Sequence, residues 1–196
     1  MNTVKDLVEQ IVSYSHDEDT PETNLMEKAL VWLNSAYHEM LQENLTYLKH
    51  KMIKYELKTV IDSAFDLPED FYLLEKIILD NNTVISKYDK NLYDIELNKI
   101  YLTKEMAKIA EIGYIPQFKV LDFDDPLTSL HIDMNHAKNL IWGALVWSSI
   151  YERGLNTQSE LALFETKWTQ VKQNLKLTLS TYNDEVLRTS PYNFLN

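Results

Sequence analysis

The sequence predicts an α+β fold, mainly α: a helical bundle with a small antiparallel sheet inserted in the middle of the chain. Three observations predict it. Apolar residues recur at three- and four-residue spacing near both ends, over residues 3–43 and 127–182. Between about residues 46 and 120 the period falls to two and turn residues punctuate it. The chain has 196 residues, 45% of them apolar and 11% aromatic, enough for one domain with a sizeable core.

The elements follow in order. Residues 3–15 read as a short helix with Val4, Leu7, Val8, Ile11 and Val12 on one side, closed by the charged loop HDEDT. Thr20-Pro21 is a strong helix start, a hydroxyl cap followed by proline at the first helical position. Glu22 and Glu27 suit the positive end of that helix, which is expected over 20–43. In YLKHKMIKYELKTV, Ile53, Tyr55 and Leu57 alternate with Met52, Lys54, Glu56 and Lys58, the period of a strand. Asp66-Leu67-Pro68-Glu69-Asp70 is a turn, and YLLEKIIL a second strand ending at Asp80-Asn81-Asn82. Residues 83–99 read as loop and short strand, with further strands at Lys99–Thr103 and Lys108–Ile115.

The most apolar segment lies at 127–153, expected as one helix. Leu130, Met134, Ala137, Ile141, Leu145 and Ser148 form one stripe, and Leu140, Ala144, Trp147 and Tyr151 a second. Two adjoining stripes predict burial on more than one side, and Gly154 is placed to end the helix. A last helix at 157–182 carries the narrower seam Leu161, Phe164, Trp168, Val171, Leu175, Thr178 and Tyr182. The expected division is one domain over residues 1–182 and a docking tail over 183–196. That tail loses the helical period but keeps Val186, Leu187, Tyr192, Phe194 and Leu195.

Composition narrows the function. Without cysteine there are no disulfides, thiolate metal sites or thiol catalysis. No apolar run approaches the roughly 20 residues of a membrane span, and the N-terminus lacks the layout of a signal peptide. A soluble, cytoplasmically made protein is the expectation. The net charge of −11 disfavours general phosphate binding. Residues 1–46 hold nine acids against Lys5 and Lys28, a net of −7, and the next segment reverses sign through Lys49, Lys51, Lys54 and Lys58. This asymmetry either steers subunits together or consists of ordinary solvated faces.

Signals for chemistry are sparse. Three scattered glycines build neither a Walker loop nor a dinucleotide fingerprint, and no serine sits in a Gly-x-Ser-x-Gly elbow. His131 and His136 would lie about 140° apart on a helix, so they read as structural rather than as a metal pair. Asp122, Asp124 and Asp125 lack the glycine and distal glutamate of a calcium loop and read as caps for the helix starting near Leu127. Trp142, Trp147 and Trp168 read as core rather than as a base-stacking platform. No catalytic residue, metal site or cofactor is expected, and the chain is not expected to be an enzyme.

The order of these segments resembles the head–tail adaptor proteins (connector or head-completion proteins) of tailed bacteriophages. An acidic helical pair ends in ALVWLNSAYHEML, and a lysine-rich strand leads to FDLPEDFYLLEKIIL, similar to a Leu-Pro-x-Asp-Phe turn. IYLTKE and AKIAEIGYIPQF resemble paired strands that finish in a Tyr-x-x-x-Pro-like segment. DDPLTSLHIDMNHAKNLIWGALVWSSIYERG with ALFETKWTQVKQNLK resembles a closing helix pair. The resemblance covers most of residues 3–182. It implies a virion protein that forms a ring, usually of about twelve copies, below the portal. Such a ring extends the channel through which double-stranded DNA passes without specific binding, and docks the next neck or tail protein. It further implies portal binding by the tail, with Val186, Leu187, Tyr192, Phe194 and Leu195 as anchors. Subunit contacts would pair Asp17, Glu18 and Asp19 with Lys49, Lys51, Lys54 and Lys58. The rival readings are a non-ring interaction module, monomeric or dimeric, and a cell-wall hydrolase of the phage neck.

Overall fold

The computed structural model describes residues 2–15, 22–103, 107–152 and 156–189, without the side chains of Glu22, Thr23 and residues 182–189. The fold is α+β and mainly α. The chain divides into two compact units, residues 1–48 with 119–196, and residues 49–118.

The helical unit begins with α1, Val4–Tyr14. Thr3 caps it, with its hydroxyl accepting from Asp6 N while Asp6 Oδ2 accepts from Thr3 N, so two N–H groups are satisfied reciprocally. The start of the helix is also tied to residues 123–125: Val4 N donates to the Asp125 carbonyl at 2.9 Å and Lys5 N to that of Phe123 at 3.0 Å. Helix α2, Glu22–Glu43, buries Trp32, Leu33, Ala36, Tyr37, Met40 and Leu41. Thr20 and Pro21, the expected start, lie outside the described residues.

Asn44 separates α2 from α3, Leu45–Met52. The expected strand therefore begins later than the alternation suggested. Leu48 and Met52 are buried four residues apart, so a helical period governs until Met52.

The apolar segment at 127–153 is not one helix. A 3-10 turn at Leu127–Ser129 leads to α4, Met134–Lys138, and then α5, Leu140–Tyr151. Asp133 causes the first break: it is extended (ψ 161°), and its carboxylate accepts from Asn135 N and His136 N. The helix-capping role expected of Asp122, Asp124 and Asp125 thus falls to Asp133 for α4. Asp125 instead folds its own loop, accepting from Lys119 Nζ at 2.5 Å and Asp122 N at 2.9 Å. The break between α4 and α5 falls at Asn139 (ψ 0°). Helix α5 buries Leu140, Ile141, Gly143, Ala144, Leu145 and Ser148, while Tyr151 is exposed. Gly154 lies outside the described residues, and α5 ends at Tyr151.

Helix α6 runs Gln158–Thr189, longer than expected. Its buried seam is Phe164, Trp168, Val171, Leu175 and Leu179, with Thr178 exposed. The helix continues past Tyr182 because Asn183 to Thr189 contain neither proline nor glycine to stop it; Pro191 is the first breaker.

The β-rich unit consists of two antiparallel sheets. The strands are β1 Lys54–Thr59, β2 Ala64–Asp66, β3 Phe71–Leu79, β4 Val84–Ser86, β5 Tyr93–Glu96, β6 Lys99–Leu102 and β7 Ile109–Pro116. One sheet has the order β1-β7-β3-β4, the other β2-β6-β5. Leu74, Ile77, Leu79, Ile85, Ala110, Ile112 and Tyr114 of the first share one core with Phe65, Tyr93, Ile100 and Leu102 of the second. The connections Asp62-Ser63 and Leu97-Asn98 have positive φ at both residues, the mirror-image geometry that matches hairpin twist.

Candidate interaction surfaces

The Leu67–Phe71 turn and the last strand meet at Asp70. Pro68 and the flanking acids set the turn, and Phe71 pairs with Pro116 where β3 meets β7. Asp70 Oδ1 accepts from the Tyr114 hydroxyl at 2.7 Å, and its Oδ2 from Lys54 Nζ at 2.6 Å. The Asp70 carbonyl accepts from Gln117 N at 2.6 Å. The bonds from Lys54 and then Tyr114 hold the Asp70 carboxyl below the usual carboxylate range. Burial first, and then the bond to Asp70, push the Tyr114 hydroxyl above the ordinary phenol range. One carboxylate thus ties the lysine-rich strand, the turn and the final strand together.

The lysines expected at a subunit contact fall into two elements. Lys49 and Lys51 lie in the last turn of α3, and Lys54 and Lys58 on β1. Within the β-rich unit Lys49 pairs with Glu75 at 3.5 Å, Lys54 with Asp70 at 2.6 Å and Lys58 with Glu56 at 2.6 Å; Lys51 is engaged as well. Asp17, Glu18 and Asp19 lie outside the described residues, as do Tyr192, Phe194 and Leu195. Val186 and Leu187 belong to α6 rather than to a tail without helical structure.

In the helical unit, Glu39 gathers donors from two helices. Its carboxylate accepts from Trp147 Nε1 at 2.9 Å, Trp168 Nε1 at 3.2 Å and Lys172 Nζ at 2.5 Å. Lys172 also reaches Glu43 at 2.8 Å. Burial works against the charge on Lys172, but its bonds to Glu39 and Glu43 outweigh that and raise its pKa. The indoles of Trp147 and Trp168 are therefore engaged inside the unit. Buried Gly143 makes this packing possible: a Cβ there would come within 2.8 Å of Ala36 Cβ and of the Trp168 ring.

A polar groove of about 540 Å³ between α4, α5 and α6 is lined by Asn135, His136, Asn139, Trp142, Lys167 and Asn174. His136 Nδ1 lies 2.5 Å from Asp133 Oδ2, and the His131 backbone N donates to the Tyr37 hydroxyl at 3.4 Å. Among the described residues, no group of three or more His, Asp or Glu could hold a metal ion. Nor, among them, is any helix long and apolar enough to cross a membrane.

One surface escaped the sequence reading. On β1, Tyr55 and Leu57 face outward while Glu56 and Lys58 are half-buried. The residues paired with Tyr55 and Leu57 are Gly113 and Glu111, followed on β3 by Lys76 and Ile78 and on β4 by Ser86 and Val84. Strand periodicity groups such residues but does not say which group is covered. The signal available was Gly113, which lets the Tyr55 ring lie against the backbone: a Cβ there would stand 3.0 Å from Tyr55 Cε1.

No protein-family model matches this chain, and no curated protein is significantly similar to it.

Proposed function

We propose that this chain is a structural head-to-tail adaptor of a tailed phage, assembling as a ring below the portal and docking the next neck or tail protein. The observation that carries this reading is the Asp70–Tyr114 bond. It joins the Leu-Pro-x-Asp-Phe turn to the strand ending in Tyr114-Ile115-Pro116, two segments on which the resemblance to adaptors rests. The β-rich unit that they close interrupts a helical unit, the order of segments in which the resemblance was found. An acidic chain also suits the wall of a channel through which DNA must slide, because it would not hold phosphates.

Portal binding belongs to the chain's C-terminal residues in this proposal, with Tyr192, Phe194 and Leu195 as apolar anchors and Val186 and Leu187 preceding them on α6. The test is negative-stain electron microscopy with mass determination of the chain mixed with portal rings of its source phage. A collar with about one copy per portal subunit is expected. Absence of association, with the chain remaining a monomer or discrete dimer, would overturn the adaptor reading in favour of a non-ring interaction module. Truncation after Thr189 keeps α6 intact while removing the three anchors, and an unchanged collar would sink the tail assignment.

A further inference from the structure

Two features of the β-rich unit leave more apolar surface exposed than its own packing uses. The first is the outer face of the β1-β7-β3-β4 sheet. Tyr55, Leu57, Val84 and Ile109 are all exposed on it, Leu57 to 70%, around the charged residues Lys76 and Glu111. Exposed apolar side chains are ordinary when scattered, but these lie on one face of one sheet, with Ile78 of β3 between Val84 and the strand of Ile109. The second is Leu97, at the tip of the β5–β6 hairpin. It is 91% exposed and has φ +47°. Asn-Gly is the favoured pair for such a tip, and a leucine there is held in an unfavourable conformation without any burial in return.

We infer that the Leu97 tip of one copy seats on the Tyr55–Leu57–Val84–Ile109 face of a second copy; this contact deepens, and rests on, the ring reading. The charges match. Beside Leu97 stand Glu96 and its cross-strand partner Lys99; Lys99 is already paired with Asp66 at 3.5 Å, so the tip presents the acid Glu96 toward Lys76, which the receiving face carries beside Glu111. The β-rich unit is also where copies repel least: residues 49–118 hold twelve acids and ten bases, a net of −2, against −9 for the rest of the chain.

A copy cannot satisfy this contact by itself. The inner faces of the two sheets meet in one core, which places the hairpin's sheet on one side and the receiving face on the other. Tip and face are different patches, so the contact is heterologous, the kind that builds a ring where its rotation closes.

The sequence has no cysteine, which permits a direct test with the full chain. Leu97→Cys and Leu57→Cys variants, each at an exposed position, are mixed and treated with a short bismaleimide cross-linker, both free at high concentration and on portal rings. The expected result is covalent dimer from the mixture at about tenfold the yield from either variant alone, because docking raises the effective thiol concentration. Leu97→Cys mixed with Leu177→Cys, on exposed α6, supplies the background. Equal yields from single variants and mixture, or yields at background, would overturn the contact. A collar on portal rings without the cross-link sinks the contact but keeps the adaptor reading. The cross-link without a collar does the reverse.

Discussion

The Tyr114 hydroxyl donates to Asp70 Oδ1 across 2.7 Å, joining residues 44 positions apart. The bond reaches from the turn before β3 to β7, the only strand in its sheet that pairs with both β1 and β3 among the described residues. Tyr114→Phe is expected to lower stability by about 1–2 kcal/mol, because it leaves a charged acceptor with one donor fewer. Urea unfolding of the full chain checks this.

The same pair sets a pH dependence at both extremes. Asp70 has a depressed pKa, so its contribution is present above the ordinary value of 3.8 and is lost as pH falls through the lower folded value. Tyr114 has a raised pKa, so its contribution is present below the ordinary value of 10.0 and is lost as pH climbs from there toward the higher folded value. Ultraviolet titration should show ionisation extending above the ordinary phenol range, to which Tyr37, raised first by its burial, also contributes, and Tyr114→Phe should remove one tyrosine from that late step.

Glu39→Ala should destabilise the helical unit by about 2–3 kcal/mol, since two indole N–H groups and Lys172 lose their shared acceptor. Glu39→Gln keeps one acceptor oxygen and should cost less. Chemical unfolding followed by tryptophan fluorescence distinguishes the two, and equal costs would mean that geometry at Glu39 matters less than charge.

Gly143→Ala adds a methyl where Ala36 and Trp168 already stand within 2.8 Å of its position. Overpacking of this kind costs about 1–3 kcal/mol. Thermal unfolding should show the loss, and a variant as stable as the parent would mean that both α2 and α6 can move away freely.

Leu97→Gly should stabilise the chain by about 0.5–1 kcal/mol, because glycine accepts the positive φ and the exposed leucine side chain contributes no burial. The same variant should lose the contact between copies. Greater stability accompanied by weaker assembly would mark Leu97 as retained for docking.

The helical period gave away most of the helical core, but not where α4 and α5 separate. Asp133 and Asn139 decide that through backbone geometry and capping, to which apolar spacing is blind. In α6 the apolar seam continues to Leu179, and the loss of clear amphipathicity after Tyr182 does not end the helix; helix formers without a breaker suffice to extend it. The alternation on β1 was legible, but its orientation was not. Glu56 and Lys58 turn toward the side of Ile112 and Ala110 at the edge of the sheet, where their mutual ion pair at 2.6 Å makes partial burial tolerable. Asp70 and Tyr114 could each be read as part of a local motif, yet nothing local shows that a turn and a strand 44 residues apart share a hydrogen bond.

The insertion of residues 49–118 into the helical unit has a consequence for how the chain reaches its native state. Antiparallel pairing brings Lys54 opposite Tyr114, so the inserted unit returns the chain close to where it left. Once β1 and β7 have paired, the long loop separating α2 from α5 is closed, and the helices search for one another as if joined by a short tether. Folding order follows from that entropy: protection of β7 amides in pulse-labelled hydrogen exchange should precede that of α5. Damage to the β1–β7 pairing would then slow the docking of helices whose own contacts it leaves untouched.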